Sequence, residues 1–295
     1  MRKLGFRSRA RGMSLVELMI SLVIGLVVVG AVIVSIISSS NAGRYQSAFA
    51  QMNEDAQIAL SILRRDLEMA GYSQPTALLP DPLDPTKLVF TFGVMAGNNG
   101  RWVFGCDKGF VSTTAAVGAL ACNPNTDPDN FMFEVAYEAD AANTVLSGGN
   151  ATNCLGNSVG GAASLLAINR YFVSTTLSLR PELRCSSNGQ TQPLVENIES
   201  MKIWYGIAVN NTSTQVVRYV TAASIGATQW DQVVSARVCL LVRSAEPVLL
   251  AGEDDQAGSL LTQYSDCDRA PQTTTDRRLR RAYFATAALR TKMPQ

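Results

Sequence analysis

The chain of 295 residues contains no histidine. That removes the commonest general base of enzyme chemistry and the commonest zinc ligand. A serine or cysteine nucleophile would have to rely on a carboxylate or a lysine. No G-x-S-x-G turn, phosphate-binding loop or dinucleotide fingerprint is present. No two of the six cysteines are spaced C-x-x-C, which leaves thiol redox catalysis and zinc knuckles without support. The acidic run "GEDDQAGS" (252–259) is flanked by glycine and reads as a solvated turn. No catalytic residue, bound metal or cofactor is expected, and the chain does not read as an enzyme. It has no internal repeat.

Charge of one sign is crowded into one short stretch. The chain carries 25 basic and 24 acidic groups, yet residues 1–12 hold five basic residues (Arg2, Lys3, Arg7, Arg9, Arg11) and no acid. Downstream the two signs are mixed, so no nucleic-acid partner is expected. The arginine-rich "DRRLRRAYF" (276–284) reads as alternating charge on an exposed strand. Charge is absent altogether from Leu18 to Ile37, "LMISLVIGLVVVGAVIVSII". At about 1.5 Å per residue this segment spans roughly 30 Å, the thickness of bilayer hydrocarbon. Gly25 and Gly30 are tolerated in lipid and let helices approach closely. The upstream cations should stay in the cytoplasm and place the bulk of the chain outside.

One acid, Glu17, stands at the head of that run, five residues after Gly12. A signal peptide cut after Ala42 would leave a periplasmic binding protein, but a signal core is usually about 7–15 residues and carries no acid. An uncleaved anchor would account for Glu17 only as a favourable charge at a helix start.

Beyond Ile37 the apolar positions Tyr45, Phe49, Met52, Ala56, Ala59, Leu63, Leu67 and Ala70 recur in steps of three and four. They form one stripe of an amphipathic helix that continues the first. The helix is predicted to run from about Ser14 to Ala70, with Gly71 as its stop and Pro75 preventing continuation. From Tyr72 the pattern becomes short extended segments: "KLVFTFGV", "FMFEVAYEA", "LAINRYFVS", "SMKIWYGIAV", "QVVRYVTA", "VVSARVCLLVRS" and "RRAYFATAALR". Val233, Val238, Leu240 and Val242 read as buried strand residues. The stretches "SQPTALLPDPLDPT", "NPNTDPDN" and "LSGGNATNCLGNSVGGAAS" read as loops. One helix followed by a run of strands predicts an α+β domain, an antiparallel sheet laid on a helical spine.

An exported domain with an even number of dispersed cysteines suggests structural disulfides. Six cysteines allow 15 pairings. The sequence-local set Cys106–Cys122, Cys154–Cys185 and Cys239–Cys267 closes the shortest loops at the smallest entropic cost. Cys239, inside an apolar strand pattern, is the candidate for a free buried thiol. Asn123, Asn125, Asp127 and Glu134 occupy positions 1, 3, 5 and 12 of a calcium loop. Pro128 stands where that loop needs glycine, and Phe131 begins a strand, so calcium is not expected there.

The segment "RGMSLVELMISLVIGL" resembles the class III signal of type IV pilins and type II secretion pseudopilins. The resemblance implies cleavage by a prepilin peptidase after Gly12 and methylation of the new amino terminus at Met13, where the family most often has phenylalanine. Glu17 becomes the fifth mature residue, and its implied role is registry: its carboxylate would meet the amine of a neighbouring subunit. The stretches "LRRDLEMAGY", "QPLVENIESMKIWYGIAV", "QWDQVVSARVCLLVRS" and "RRLRRAYFATAALRTKM" are similar to the PilW group of minor pilins. Residues 76–165 show little such likeness. The resemblance implies a pilin-like fold with four parts: a cytoplasmic leader (1–12), a transmembrane or filament-core helix (13–37), an amphipathic continuation (38–71) and a periplasmic β-rich domain (72–295). It implies a structural subunit that helps initiate pilus assembly from the inner membrane. The implied partners are other minor pilins, the major pilin, the prepilin peptidase/N-methyltransferase, the assembly platform and the lipid bilayer. A minor pseudopilin of the J type shares the leader and architecture and remains the alternative.

Overall fold

The structure is a computed structural model that describes residues 13–73, 75–80, 88–92, 102–115, 119–124, 130–159, 165–175, 180–248 and 262–289, with residues 75–80 and 88–92 described by their backbone. A single helix, α1 (Leu15–Met69), takes up 55 residues and is about 83 Å long at 1.5 Å per residue. Its first half is exposed on every side, and it is apolar and long enough to cross a membrane. A Cβ added at Gly25 or Gly30 would meet nothing within 4 Å, so both leave shallow notches on the helix surface.

The second half is one-sided, as a stripe in steps of three and four requires. Met52, Ala56, Ala59, Leu63 and Leu67 are buried, whereas Tyr45 at the top of the expected stripe is 40% exposed and stacks on Phe49. The helix ends because Ala70 leaves helical geometry and Gly71 turns left-handed at φ 74°. The Gly71 N–H then donates to the Ala136 carbonyl at 2.9 Å, so the helix stop is also a joint to the sheet.

The strands follow in chain order: β1 (Pro75–Pro80), β2 (Leu88–Phe92), β3 (Val103–Cys106), β4 (Met132–Glu138), β5 (Leu146–Ser147), β6 (Asn150–Ala151), β7 (Leu166–Ser174) and β8 (Glu182–Ser187). Then come β9 (Gln190–Glu196), β10 (Ile198–Ile207), β11 (Arg218–Val220), β12 (Val233–Arg243), β13 (Thr262–Ser265), β14 (Pro271–Thr274) and β15 (Arg280–Ala288). Two larger sheets carry the domain, in the orders β3-β4-β7-β8-β9 and β11-β10-β12-β15, and every pairing in them is antiparallel. Both rest on α1 and share one core that includes Leu63, Leu67, Tyr171, Ile203 and Leu240. The fold is therefore an α+β arrangement, one long helix under antiparallel sheets.

Two stretches read as loops contain strands. Residues 75–80 of "SQPTALLPDPLDPT" pair with β2 in an antiparallel hairpin, despite a proline at each end of β1. Prolines at strand ends lose no interior ladder bond. In "LSGGNATNCLGNSVGGAAS", the two-residue strands β5 and β6 meet across Gly148 and Gly149, both at positive φ.

The two sheets are joined at Asn197, between β9 and β10. It adopts φ 65°, a conformation asparagine tolerates better than most residues. Its carbonyl accepts from the Arg243 N–H at 2.9 Å, and its Nδ2 donates to Asp55 on α1 at 3.2 Å. One residue thus ties both sheets to the spine.

Candidate functional site

The amino-terminal turn of α1 is built from Ser14 outward. Ser14 is extended (φ −68°, ψ 144°), its side chain makes no cap, and its carbonyl accepts from the Leu18 N–H at 3.1 Å. Glu17 lies in this first turn, at the end of the helix whose unpaired N–H groups favour negative charge. The side chain is exposed, as is that of Met13, and no cation among the described residues pairs with it. The surrounding surface is apolar: Val16, Ile20 and Ile24 flank Glu17 and Ser21 on one face. Among the described residues, then, Glu17 is a lone carboxylate on a lipid-soluble rod. An oppositely charged group from another molecule could compensate it there. Gly12, the expected cleavage position, lies outside the described residues.

In the carboxy-terminal domain the six cysteines form three disulfides, Cys106–Cys122, Cys154–Cys185 and Cys239–Cys267. Cys239 is therefore not a free thiol. It points away from the core side of β12, where Cys267 of the β13–β14 turn reaches it. An apolar strand pattern marks burial, but it does not say which sheet face a residue occupies.

The calcium pattern meets a competing arrangement. Glu134 is buried and accepts from Arg170 Nε at 2.7 Å, while the other guanidinium nitrogens of Arg170 donate to the Thr113 and Ala115 carbonyls. Burial pushes the Glu134 carboxyl up, and Arg170 pulls it back. That carboxylate clamps a loop. Asn125, Asp127 and Pro128 lie outside the described residues, as does the acidic run 252–259.

The block "DRRLRRAYF" is mostly occupied internally, contrary to a simple exposed charge pattern. Arg280 binds Glu199 through Nε and Nη2 (2.5 and 2.9 Å) and Asp276 through Nη2 (2.6 Å). Hydrogen bonds from Arg280 hold the Asp276 carboxyl well below the usual carboxylate range, despite partial burial. Arg278 donates to the Ser244 and Ala245 carbonyls. Arg281 lies 5.2 Å above the Phe49 ring of α1.

The polar cluster that sequence reasoning missed centres on Asp66. Its carboxylate is buried between α1 and the five-stranded sheet. It accepts from Tyr171 (2.5 Å) and Asn169 Nδ2 (2.6 Å) of β7 and from Tyr137 (3.3 Å) of β4. Burial raises its pKa, and the donors from Tyr171, Asn169 and Tyr137 partly offset that rise. The available signal was spacing: Asp66 falls three residues after Leu63 and four before Ala70, on the stripe itself.

Residues 170–291 match the family described as Type IV Pilus-assembly protein W, and residues 7–33 match the prokaryotic N-terminal methylation motif. Among solved structures, the type IV-like pilin TTHA1219 from Thermus thermophilus is similar at 10% identity, with 54% of this chain and 78% of that chain covered and a TM-score of 0.28. No curated protein matches the sequence significantly.

Proposed function

We propose that this chain, a minor pilin of the PilW type belonging to the type IV pilus, helps initiate pilus assembly in the inner membrane as a structural, non-enzymatic subunit. Residues 1–12 serve as a cytoplasmic leader, and the prepilin peptidase cuts after Gly12 and methylates Met13. Residues 13–37 hold the subunit in the bilayer and later in the filament core. Residues 38–71 continue the spine, and residues 72–295 form the periplasmic domain. The partners are other minor pilins, the major pilin and the assembly platform.

The observation that carries this reading is Glu17. An exposed carboxylate at the head of an apolar helix, with no cation partner among the described residues, is costly in lipid unless a second molecule brings the charge. A newly freed amine at Met13 of a neighbouring subunit is such a charge. It also sets the axial position at which two helices meet. The methylation motif spans these residues and supports the same chemistry.

Mass spectrometry of the amino terminus of the chain recovered from sheared pili tests the proposal. Methylated Met13 is the expected first residue. A chain that begins at Gly43, or one that retains residues 1–12 inside assembled fibres, overturns it.

A further inference from the structure

The two faces of the four-stranded sheet are finished differently. The inner face, with Ile203, Tyr205, Val238 and Leu240, is core packed towards α1. On the outer face the β13–β14 hairpin is fastened down near the anchor end. The Cys239–Cys267 disulfide holds it, Lys202 Nζ binds Asp268 at 2.6 Å, and the Arg280 guanidinium lies 5.3 Å above the Tyr264 ring. The hairpin leaves the other half of this face open.

Register sets the open half out in rows. Trp204, Arg237 and Thr286 are direct cross-strand partners on β10, β12 and β15. Phe284 lies on one side of that row, and Tyr219, paired with Gly206, on the other. Phe284 is 37% exposed, Tyr219 42% and Val217 at the edge 62%. The Arg237 guanidinium sits 5.3 Å above the Phe284 ring and has no carboxylate partner among the described residues. The Trp204 indole N–H has no acceptor among the described residues.

Tryptophan, tyrosine and an unpaired arginine beside exposed aliphatic surface make up the composition of interface centres, here fixed on rigid strands. The unused polar groups, the guanidinium and the indole N–H, are donors, so the complement must supply acceptors and negative charge. A second copy docked on the same face would set Arg237 against a like-charged surface. A nucleic-acid strand would meet, among the described residues, Arg237 on the face and Arg218 at its edge strand beside valine side chains, where it needs a row of cations.

We infer that this open half of the outer sheet face docks a different polypeptide, through an apolar segment that bears a carboxylate seated on Arg237. The face points away from α1, so its occupant is a globular domain and not a spine helix. The contact is separate from the one proposed for Glu17.

The test is photo-crosslinking in cells with the full chain, Phe284 being replaced by p-benzoylphenylalanine. The expected product is one discrete adduct to a different polypeptide, whose crosslinked peptide carries Asp or Glu among apolar residues. Arg237→Glu should lower the adduct yield about tenfold or more, since like charges across an interface repel. Reversing the partner's carboxylate to lysine should restore it. Thr286→Glu, an exposed change beside Arg237, should give the same loss and guards against an unfolding effect of the first variant. An adduct to a second copy, to nucleic acid or to lipid overturns the inference. So does a yield that both variants leave unchanged, or no adduct at all. The adduct is scored on the membrane-anchored chain, so its absence and an absence of pili are distinguishable results.

Discussion

Tyr171 donates a 2.5 Å hydrogen bond to Asp66, and this bond fastens a central strand of the five-stranded sheet to the helical spine. Tyr171 is fully buried, and Asp66 pushes its hydroxyl, already raised by burial, further above its ordinary pKa. Replacing Asp66 by alanine would take the acceptor from three donors at once, Tyr171, Tyr137 and Asn169, of which Asn169 keeps its 3.3 Å bond to the Tyr137 hydroxyl. Removing one partner of a buried charged network typically costs about 3–5 kcal/mol. Asp66→Ala should therefore lower the chemical-denaturation stability of the domain by that order. Tyr171→Phe removes one donor and should cost about 1–3 kcal/mol. Equal midpoints for wild type and Asp66→Ala would show that the cluster is not a fastening.

Two carboxyls should shape the acid response in opposite directions. Asp276 is held below its ordinary value of 3.8 by Arg280, so its contribution is fully present above that value and is lost as pH falls towards its folded-state pKa. Asp66 is raised, so its contribution is greatest below 3.8 and declines as pH rises through its folded-state pKa. Asp276→Asn should flatten the loss of stability on acidification below about pH 4. Asp66→Asn should leave that limb in place. Thermal melts across pH 2–6 distinguish the two, and an unchanged acid limb in Asp276→Asn would remove the role given to the Arg280 pair.

Gly105 is a place where the fold tolerates no side chain. A Cβ there would collide with the hydroxyl end of Tyr205, and would come within 3.3 Å of the Met132 carbonyl. Tyr205 is fully buried and packs edge-on against Trp230, so it has no room to retreat. Overpacking of this kind costs about 1–3 kcal/mol. Gly105→Ala should lower the melting temperature, and a melt identical to wild type would mean the two sheets are packed less tightly here.

How much of this was legible depended on whether a residue's pattern had one reading or two. The charge-free run from Leu18 to Ile37 and the basic leader before it have one physical reading each. So does the stripe from Met52 to Ala70, and the helix and its stop at Gly71 could be placed from them. The strands LAINRYFVS and VVSARVCLLVR likewise show long apolar or β-branched runs. β8, "ELRCSS", did not, because Glu182 and the serines look like loop residues although five of the six are buried. β9 carries Pro193, which argues against a strand. It is tolerated there because β9 is an edge and the ladder bulges beside it. Asp66 was given no role from the sequence, where an acid on a helix carries no mark of burial. Its three donors come from residues 71 to 105 positions away, which no local pattern reveals.

The Cys239–Cys267 bond should matter most for the hairpin it holds. The pair closes a loop with a sequence separation of 28, for which removal of the bond typically costs about 2–4 kcal/mol. The double change Cys239→Ser and Cys267→Ser should lower stability by that order and open residues 262–274 to limited proteolysis. Core segments such as β10 and β12 should stay protected under the same digestion. Cleavage spread evenly over both sheets would mean that the bond supports the whole domain.

Glu17 yields the prediction that separates folding from assembly. The side chain touches none of the described residues of the folded domain, so Glu17→Ala should leave the melting temperature and the amount of membrane-anchored chain unchanged. If a neighbouring amine approaches to about 4 Å, the pair is worth about 4 kcal/mol at an effective dielectric constant of 20. That loss corresponds to roughly a thousandfold change in the equilibrium for joining the filament. Glu17→Gln keeps the shape and the hydrogen-bonding oxygen but not the charge, and should fail nearly as badly, whereas Glu17→Asp should retain part of the function. The measurement is the ratio of this chain in sheared pili to that in the membrane fraction, by immunoblot. Because an uncleaved chain would also be missing from pili, each variant must first be shown by mass to begin at Met13. Normal incorporation of processed Glu17→Ala would mean that the acid does not register subunits, and the apolar helix would have to do so by packing alone.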